Sequence, residues 1–317
     1  MGNMATFATG FALAAALKDT TEREVKAKFI YVDSAPAPSQ DAIRIIKGVM
    51  YQKSLRQTGD FQSNQSAFVR VLDRLAELSG VAYDLETQDF WRSNPALPTV
   101  LQSIVARSEI LGPHMSPETG KLAIRAPCPH EGCGLADKHG VNNQYHDDGR
   151  MSFVCPEHGE HYIDPTSRRD RDRLEFNTPL RNLIRILICS QDRENSWIMC
   201  TGADYAGFYQ EQLTWRLLEH PQTAPIIFYA PLILDWSGVK LSKSLYVKQG
   251  AYQYLRNAGR EYMLDADTFL QTTGGLDALF GEVQDWVQKP YMLFRNYSID
   301  YLDMQLVSRG MQLLQTP

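Results

Sequence analysis

The spacing of apolar and polar positions changes several times along the chain, and each change predicts an element. Residues 5–18 are small, apolar and rich in Ala, and read as a helix. Phe29 to Val32 (FIYV) is a continuous apolar run ending at Asp33, the pattern of a buried strand. A helix followed by such a strand is half of an α/β crossover unit. Ser34 to Ser39 (SAPAPS) is a loop by its prolines. Helical spacing is expected over 41–57 and over 65–79, where Phe68, Leu72, Leu75 and Leu78 recur at helical intervals. A strand follows around Val81 to Leu85, and a helix over 98–111. Later, Trp197 to Cys200 (WIMC) predicts a strand and Phe208 to Leu218 a helix. Ile226 to Leu234 predicts a strand interrupted by Pro231, and 250–315 reads as helical. There is no repeat and no low-complexity tract.

Composition shifts sharply in one place. Residues 125–163 hold three of the five Cys and five of the seven His. Cys128 and Cys133 form C-x4-C within CPHEGCG, and Cys155 and His158 form C-x2-H within CPEHG. Two short ligand turns separated by a hairpin-sized spacer have the layout of a zinc ribbon. Thiolate and imidazole suit tetrahedral zinc, and Gly134 and Gly159, each directly after the second ligand of its turn, permit tight turns. Four protein ligands leave no open position, so the expected zinc is structural. His130, His146 and His161 compete with His158 for the fourth place.

The chain has 317 residues, 44% of them hydrophobic and 22% charged, which is an ordinary globular composition long enough to bury a large core. The formal net charge of −5 does not announce a nucleic-acid binder, so any such contact requires a local basic patch. An odd number of cysteines, mostly in one segment, points away from a secreted disulfide framework and toward a reducing, cytoplasmic compartment. No run approaches the roughly 20 apolar residues of a membrane span. The apolar stretch Phe11 to Leu17 lacks the basic region of a signal peptide.

Two loops suggest nucleotide chemistry. Lys240 to Ser244 (KLSKS) follow the run IIFYAPLILDWSGV. Lys240 and Lys243 on a mobile loop can close on phosphates as charge develops, with Ser242 keeping the loop small and able to hydrogen-bond. Thr201 to Gly207 (TGADYAG) lie between a predicted strand and a predicted helix. There Gly202 lets backbone approach a nucleotide and Asp204 can accept from ribose hydroxyls; Asp204 as an ordinary helix cap is the plainer reading. Arg168, Arg169, Arg171, Arg173, Arg181 and Arg185 are interleaved with acids. They read either as a salt-bridged surface helix or as a contact strip for RNA or substrate phosphates.

In order, these pieces resemble a class I lysyl-tRNA synthetase. The fragment PLILDWSGVKLSKS is close to that family's lysine loop, although glutamyl-tRNA synthetases share it. The stretch VLDRLAELSGVAYDLETQDFWRSNPALPTVLQSIV is similar to the family's segment before its zinc turn, and collinear resemblance covers roughly residues 2–250. The resemblance implies a Rossmann-like doubly wound parallel sheet in an α/β protein. Residues 1–124 and 164–249 would form the core, 125–163 the zinc-ribbon insertion and 250–317 a helical tail. It implies ATP, handled with Mg, as substrate, an amino acid (lysine favoured) and the acceptor end of tRNA as partners, and no membrane. Lys240 and Lys243 become the catalytic residues, and Gly2, Asn3, Gly202, Asp204 and Ser242 the ATP-binding ones. Asp33, Asp235 and Glu211 are available for the lysine ammonium group.

There are departures. Gly2 and Asn3 match the last half of a His-x-Gly-Asn motif, but Met1 stands where the preceding residue belongs, and the motif His and first strand are missing. Tyr205 replaces the His of Gly-x-Asp-His, and 73 residues after Ser244 leave little room for an anticodon-binding part. An incomplete copy of a longer protein, or a diverged paralogue, is therefore expected. The alternative functions are a repurposed synthetase acting on another acceptor and an inactive, zinc-stabilised binding protein.

Overall fold

The computed structural model describes residues 1–59, 61–88, 92–208, 218, 221–241 and 250–313. The chain opens with helix α1 (Gly2–Thr21) and strand β1 (Ala27–Tyr31). Strands β2 (Ile43–Ile46) and β3 (Val49–Gln52) precede helix α2 (Phe61–Ser79) and strand β4 (Tyr83–Thr87). Helices α3 (Leu97–Ala106) and α4 (Ser108–Met115) lead to the short strands β5 (Ile124–Arg125), β6 (Ala136–Asp137) and β7 (Gln144–Tyr145). The hairpin of β8 (Met151–Cys155) and β9 (Gly159–Ile163) follows, then β10 (Glu175–Phe176) and helix α5 (Thr178–Gln191). Strands β11 (Ile198–Gly202), β12 (Ile226–Ala230) and β13 (Ile233–Leu234) come next. The last part is mainly helical, with α6 (Gly275–Gln288), strand β14 (Tyr297–Ser298) and α7 (Ile299–Ser308).

The Ala-rich opening becomes the central helix of the first core because small side chains let neighbours approach on several sides. Ala5, Ala8 and Phe11 are fully buried, and α1 packs on α2, α6, β1 and β11. Gly10 lies against Cys200 of β11, and Phe11 stacks on Phe29 of β1 with centroids 5.3 Å apart. Leu72, Leu75, Trp286 and Leu302 complete this core. A second core joins Leu101 and Ile104 of α3 to Met151, Phe153 and Ile163 of the β8–β9 hairpin and to Leu183 and Ile186 of α5. The cysteine-bearing hairpin is thus rooted in the second core by alternate apolar residues.

β1 and β4 pair in parallel, joined by a connection that includes the β2–β3 hairpin and α2. Lys26 and Lys28 of this segment pair with Asp84 and Glu86 across the strands. β11 and β12 form a second parallel pair. Among the described residues no ladder joins the two pairs, so the architecture is mixed α/β with several small parallel and antiparallel sheets. The run FIYV, expected as a buried strand, is accordingly half-buried along its length, because a two-stranded sheet leaves each strand an unpaired edge. Pro231, expected to interrupt one long strand, separates β12 from β13, and β13 pairs in parallel with β14 instead. Among the described residues no helix is long and apolar enough to cross a membrane.

One expectation is overturned. Residues 41–57 are not a helix but mainly the antiparallel β2–β3 hairpin, paired from Ile43–Gln52 to Ile46–Val49. The reason is local: Lys47 and Gly48 take φ of 50° and 79°, the double left-handed turn that a two-residue hairpin requires. Gly48→Val is expected to cost about 1–2 kcal/mol, the penalty for a Cβ in this region. Urea denaturation checks this, and a loss below about 0.5 kcal/mol would contradict the turn. The predicted helix over Phe208 to Leu218 lies almost wholly outside the described residues.

Candidate functional site

The turn between β5 and β6 carries Cys128 and Cys133, while Cys155 ends β8 and His158 leads into β9. Cys133 N–H donates to the His130 carbonyl at 3.1 Å, and Gly134 and Gly159 take the left-handed φ of 65° and 78° that let the chain reverse beside each ligand pair. The four ligand atoms all lie within 4.8 Å of one another. Cys128 Sγ is 3.4 Å and Cys155 Sγ 3.6 Å from His158 Nδ1, and Cys133 Sγ is 3.7 Å from Cys155 Sγ. A tetrahedron with metal–sulfur bonds of about 2.3 Å has edges of about 3.8 Å, so the spacing fits. This Cys3His cluster can hold a metal such as zinc.

Electrostatics give the same reading. Burial pushes the Cys128 thiol up to about 12 and also raises Cys133. At Cys155 burial opposes ionisation, but the Glu157 N–H and the His158 imidazole and N–H outweigh it and lower the pKa. Buried thiols of this kind become thiolates together only when a cation compensates them.

Of the four candidate histidines only His158 joins the three cysteines in the cluster. His130 stacks on His158 with centroids 4.1 Å apart, and His146 Nε2 lies 3.3 Å from Ser152 Oγ. Arg173 donates to His161 Nδ1 at 3.0 Å. Burial, then the Arg173 charge, lower the His161 pKa to about 4, which keeps it a neutral acceptor.

The cysteine segment is tied to its surroundings on two sides. On one side β6 adds to the β2–β3 hairpin, Tyr51 packs with the three cysteines, and Lys53 Nζ donates to the Gly132 carbonyl at 3.1 Å. On the other, Arg173 donates to the Pro127 carbonyl at 3.2 Å.

The arginine stretch is not one continuous helix. It runs through one helical turn (Arg168–Arg171), β10 and the start of α5, and several of its guanidinium groups bond carbonyls. Arg171, itself buried, donates to the carbonyls of Pro165 and Thr166, and Arg181 to that of Phe176. Arg168 and Arg169 are exposed.

The loop residues behave differently from one another. Gly202 ends β11, and Asp204 follows in a single 3-10 turn. A Cβ at Gly202 would sit 2.5 Å from Asp204 Oδ1, so only glycine lets this carboxylate fold back over the strand end. Lys240 Nζ lies 2.5 Å from Asp204 Oδ2, with both side chains partly exposed. Lys240 reaches that position because the Asp235–Val239 turn, closed by Asp235 N–H to the Val239 carbonyl at 2.8 Å, folds it back beside Leu234. Ser242 and Lys243 lie outside the described residues, as does Glu211. Gly2 and Asn3 form the first turn of α1 and make no hydrogen bond to Gly202, Asp204 or Lys240. Tyr205 packs against the second core. Asp235 is committed to its own turn, accepting from Ser237, Val239 and Tyr252, while buried Asp33 accepts from the Gln88 N–H at 3.4 Å.

Sequence reasoning missed a buried charge cluster. Glu175 is 1% exposed; its Oε1 accepts from Ser54 Oγ at 2.6 Å and from Arg56 Nε at 2.9 Å. Arg125 Nη2 lies 3.5 Å from Glu175 Oε2, an ion-pair contact rather than a hydrogen bond. Arg56 also donates to the carbonyls of Asp172 and Arg173, which locks the arginine stretch to the β2–β3 side. The available signal was an arginine inside the apolar run LAIRAP. No family model matches the chain, and no curated protein matches it.

Proposed function

We propose that this protein activates an amino acid, lysine favoured, with ATP and transfers it to tRNA, as a class I synthetase-like ligase stabilised by a structural zinc. The observation that carries the reading is the Lys240–Asp204 pair beside Gly202, at the carboxyl end of a parallel strand. Ligands of open α/β sheets bind at such ends. On this reading the β1–β4 and β11–β12 pairs belong to one doubly wound core.

A partly exposed ion pair is worth only about 0–1 kcal/mol, so each partner exchanges cheaply for a ligand. Asp204 would turn to the ribose hydroxyls, and Lys240, with Lys243 of the same loop, to the phosphates. Mg would neutralise part of the phosphate charge. The amino acid carboxylate attacks the α-phosphorus, the bond to the bridging oxygen breaks, and pyrophosphate leaves. Lysines that tighten on the leaving group as charge grows lower that barrier. A cytoplasmic setting follows from the need to keep the metal-binding thiols reduced.

Lysine-dependent exchange of pyrophosphate into ATP tests this. Lys240→Ala is expected to slow exchange about 100- to 1000-fold while changing ATP affinity much less. If no standard amino acid supports exchange, the synthetase reading fails. Product formation that does not need tRNA would assign the acceptor to another molecule. The Lys240–Asp204 closure favours a second reading, an inactive zinc-stabilised binding protein, because each group neutralises the other. ATP binding without exchange would select it.

A further inference from the structure

A cavity of about 390 Å³ lies between the loop after β1, the turn after β6 and the start of α5. Arg125, Lys138 and Arg181 line it, together with His139, and among the described residues no carboxylate does. Val32, Pro36 and Phe176 supply apolar wall.

The cations are held in place before any ligand arrives. The Asp137 carboxylate accepts from the N–H groups of His139, Gly140 and Asn142 at 3.0, 2.9 and 3.0 Å. That fixes the turn bearing Lys138 and His139 and spends the Asp137 charge on backbone. Arg181 is steadied by the Phe176 carbonyl at 3.3 Å and Thr178 Oγ1 at 3.1 Å. Arg125 is 3% exposed, and Gln52 and Glu175 engage its Nη2. Its Nε, equally buried, has no hydrogen-bond partner among the described residues. The start of α5 adds little, because Asn177 Oδ1 already takes the Leu180 N–H and Pro179 has none.

We propose that this cavity binds a small organic phosphate, with the phosphoryl group among Arg125, Lys138 and Arg181 and its carbon portion on the apolar wall. Guanidinium forks match phosphate oxygens, and an ammonium adds a point charge. A phosphoryl group offers three terminal oxygens to three donor side chains, where a carboxylate offers two. A cavity of this volume suits a small molecule better than a polymer backbone. The site is independent of the synthetase reading, since neither Lys240 nor Asp204 lines it.

Calorimetric titration of the full, zinc-loaded chain with phenyl phosphate tests the proposal, with inorganic phosphate, benzoate and a 5′-phosphorylated oligoribonucleotide as comparisons. Saturable binding of phenyl phosphate is expected, tighter than that of the other three. Lys138→Gln and Arg181→Gln should each weaken it about tenfold or more, the loss expected for one charge-assisted contact, at an unchanged melting temperature. Lys138→Arg should restore it, and Lys240→Ala should leave it unchanged. Unaltered affinity in both glutamine variants, loss in Lys240→Ala, or absence of saturable binding overturns the site. Tighter binding of the oligoribonucleotide overturns the small-molecule assignment. Amino acid exchange plays no part in these measurements, so this site and the synthetase reading can fail separately.

Discussion

A Cys155→Ala chain, or the native protein stripped by a strong chelator, is expected to lose several kcal/mol of stability and the order of its cysteine-bearing region. Elemental analysis of protein prepared without chelator should show about one zinc per chain. The magnitude follows from what else holds the segment together. Its apolar base, Met151, Phe153 and Ile163, sits in the second core, but the ligand turns themselves rest on Tyr51, Leu135 and the cysteines. Metal binding at structural sites supplies about 10–16 kcal/mol in small peptides, and only part of that is needed where a core already anchors the hairpin. Removing the metal also leaves buried thiols that burial keeps protonated and poorly partnered. Cys200→Ala separates metal loss from the loss of a thiol: Cys200 lies against α1, far from the cluster in the chain, and its variant should keep the metal. A metal-free native preparation of full stability would sink the prediction.

The second large effect is expected at Glu175. Glu175→Ala should cost about 3–5 kcal/mol in urea denaturation, because it removes one partner of a buried ion pair and leaves the other charged. Arg125 cannot escape to solvent at 3% exposure, and burial already depresses its pKa, with the Glu175 charge the main opposing influence. Arg56 loses its carboxylate but keeps the Asp172 and Asp33-side framework through backbone carbonyls. The Glu175→Leu, Arg125→Met double variant should therefore be more stable than Glu175→Ala, since it deletes both charges at roughly constant volume. A loss below about 1 kcal/mol for Glu175→Ala would show that Arg125 finds another counter-charge.

Much of this protein was legible in its residues alone wherever the deciding physics is local. The Ala-rich α1, the amphipathic α2 and the parallel-strand run before Asp33 follow from periodicity, which reflects which side chains must leave water. The Cys3His cluster that could hold a metal was legible because a tetrahedral site would need its donors on tight turns, and Cys, Pro and Gly at short spacing specify such turns. Even so, four histidines were compatible with the fourth position. Only packing chose His158, by stacking His130 on it and giving His161 to Arg173.

Where the sequence was misread, the competing forces were long-range or hidden in a short turn. The apolar and polar positions of 43–52 tolerate a helix, and two left-handed residues, Lys47 and Gly48, made a hairpin instead. That hairpin mattered, since β3 is the platform on which β6 and the metal turns build. The arginine stretch resembled a charged surface because its neighbours in sequence are acids. In three dimensions many of its acceptors are carbonyls, and Glu175 is claimed by Ser54 and Arg56 from more than a hundred residues away. The chemistry of each residue was written in the chain. Which donor met which acceptor was decided only by tertiary structure, because a buried charge takes whatever partner the fold brings within reach.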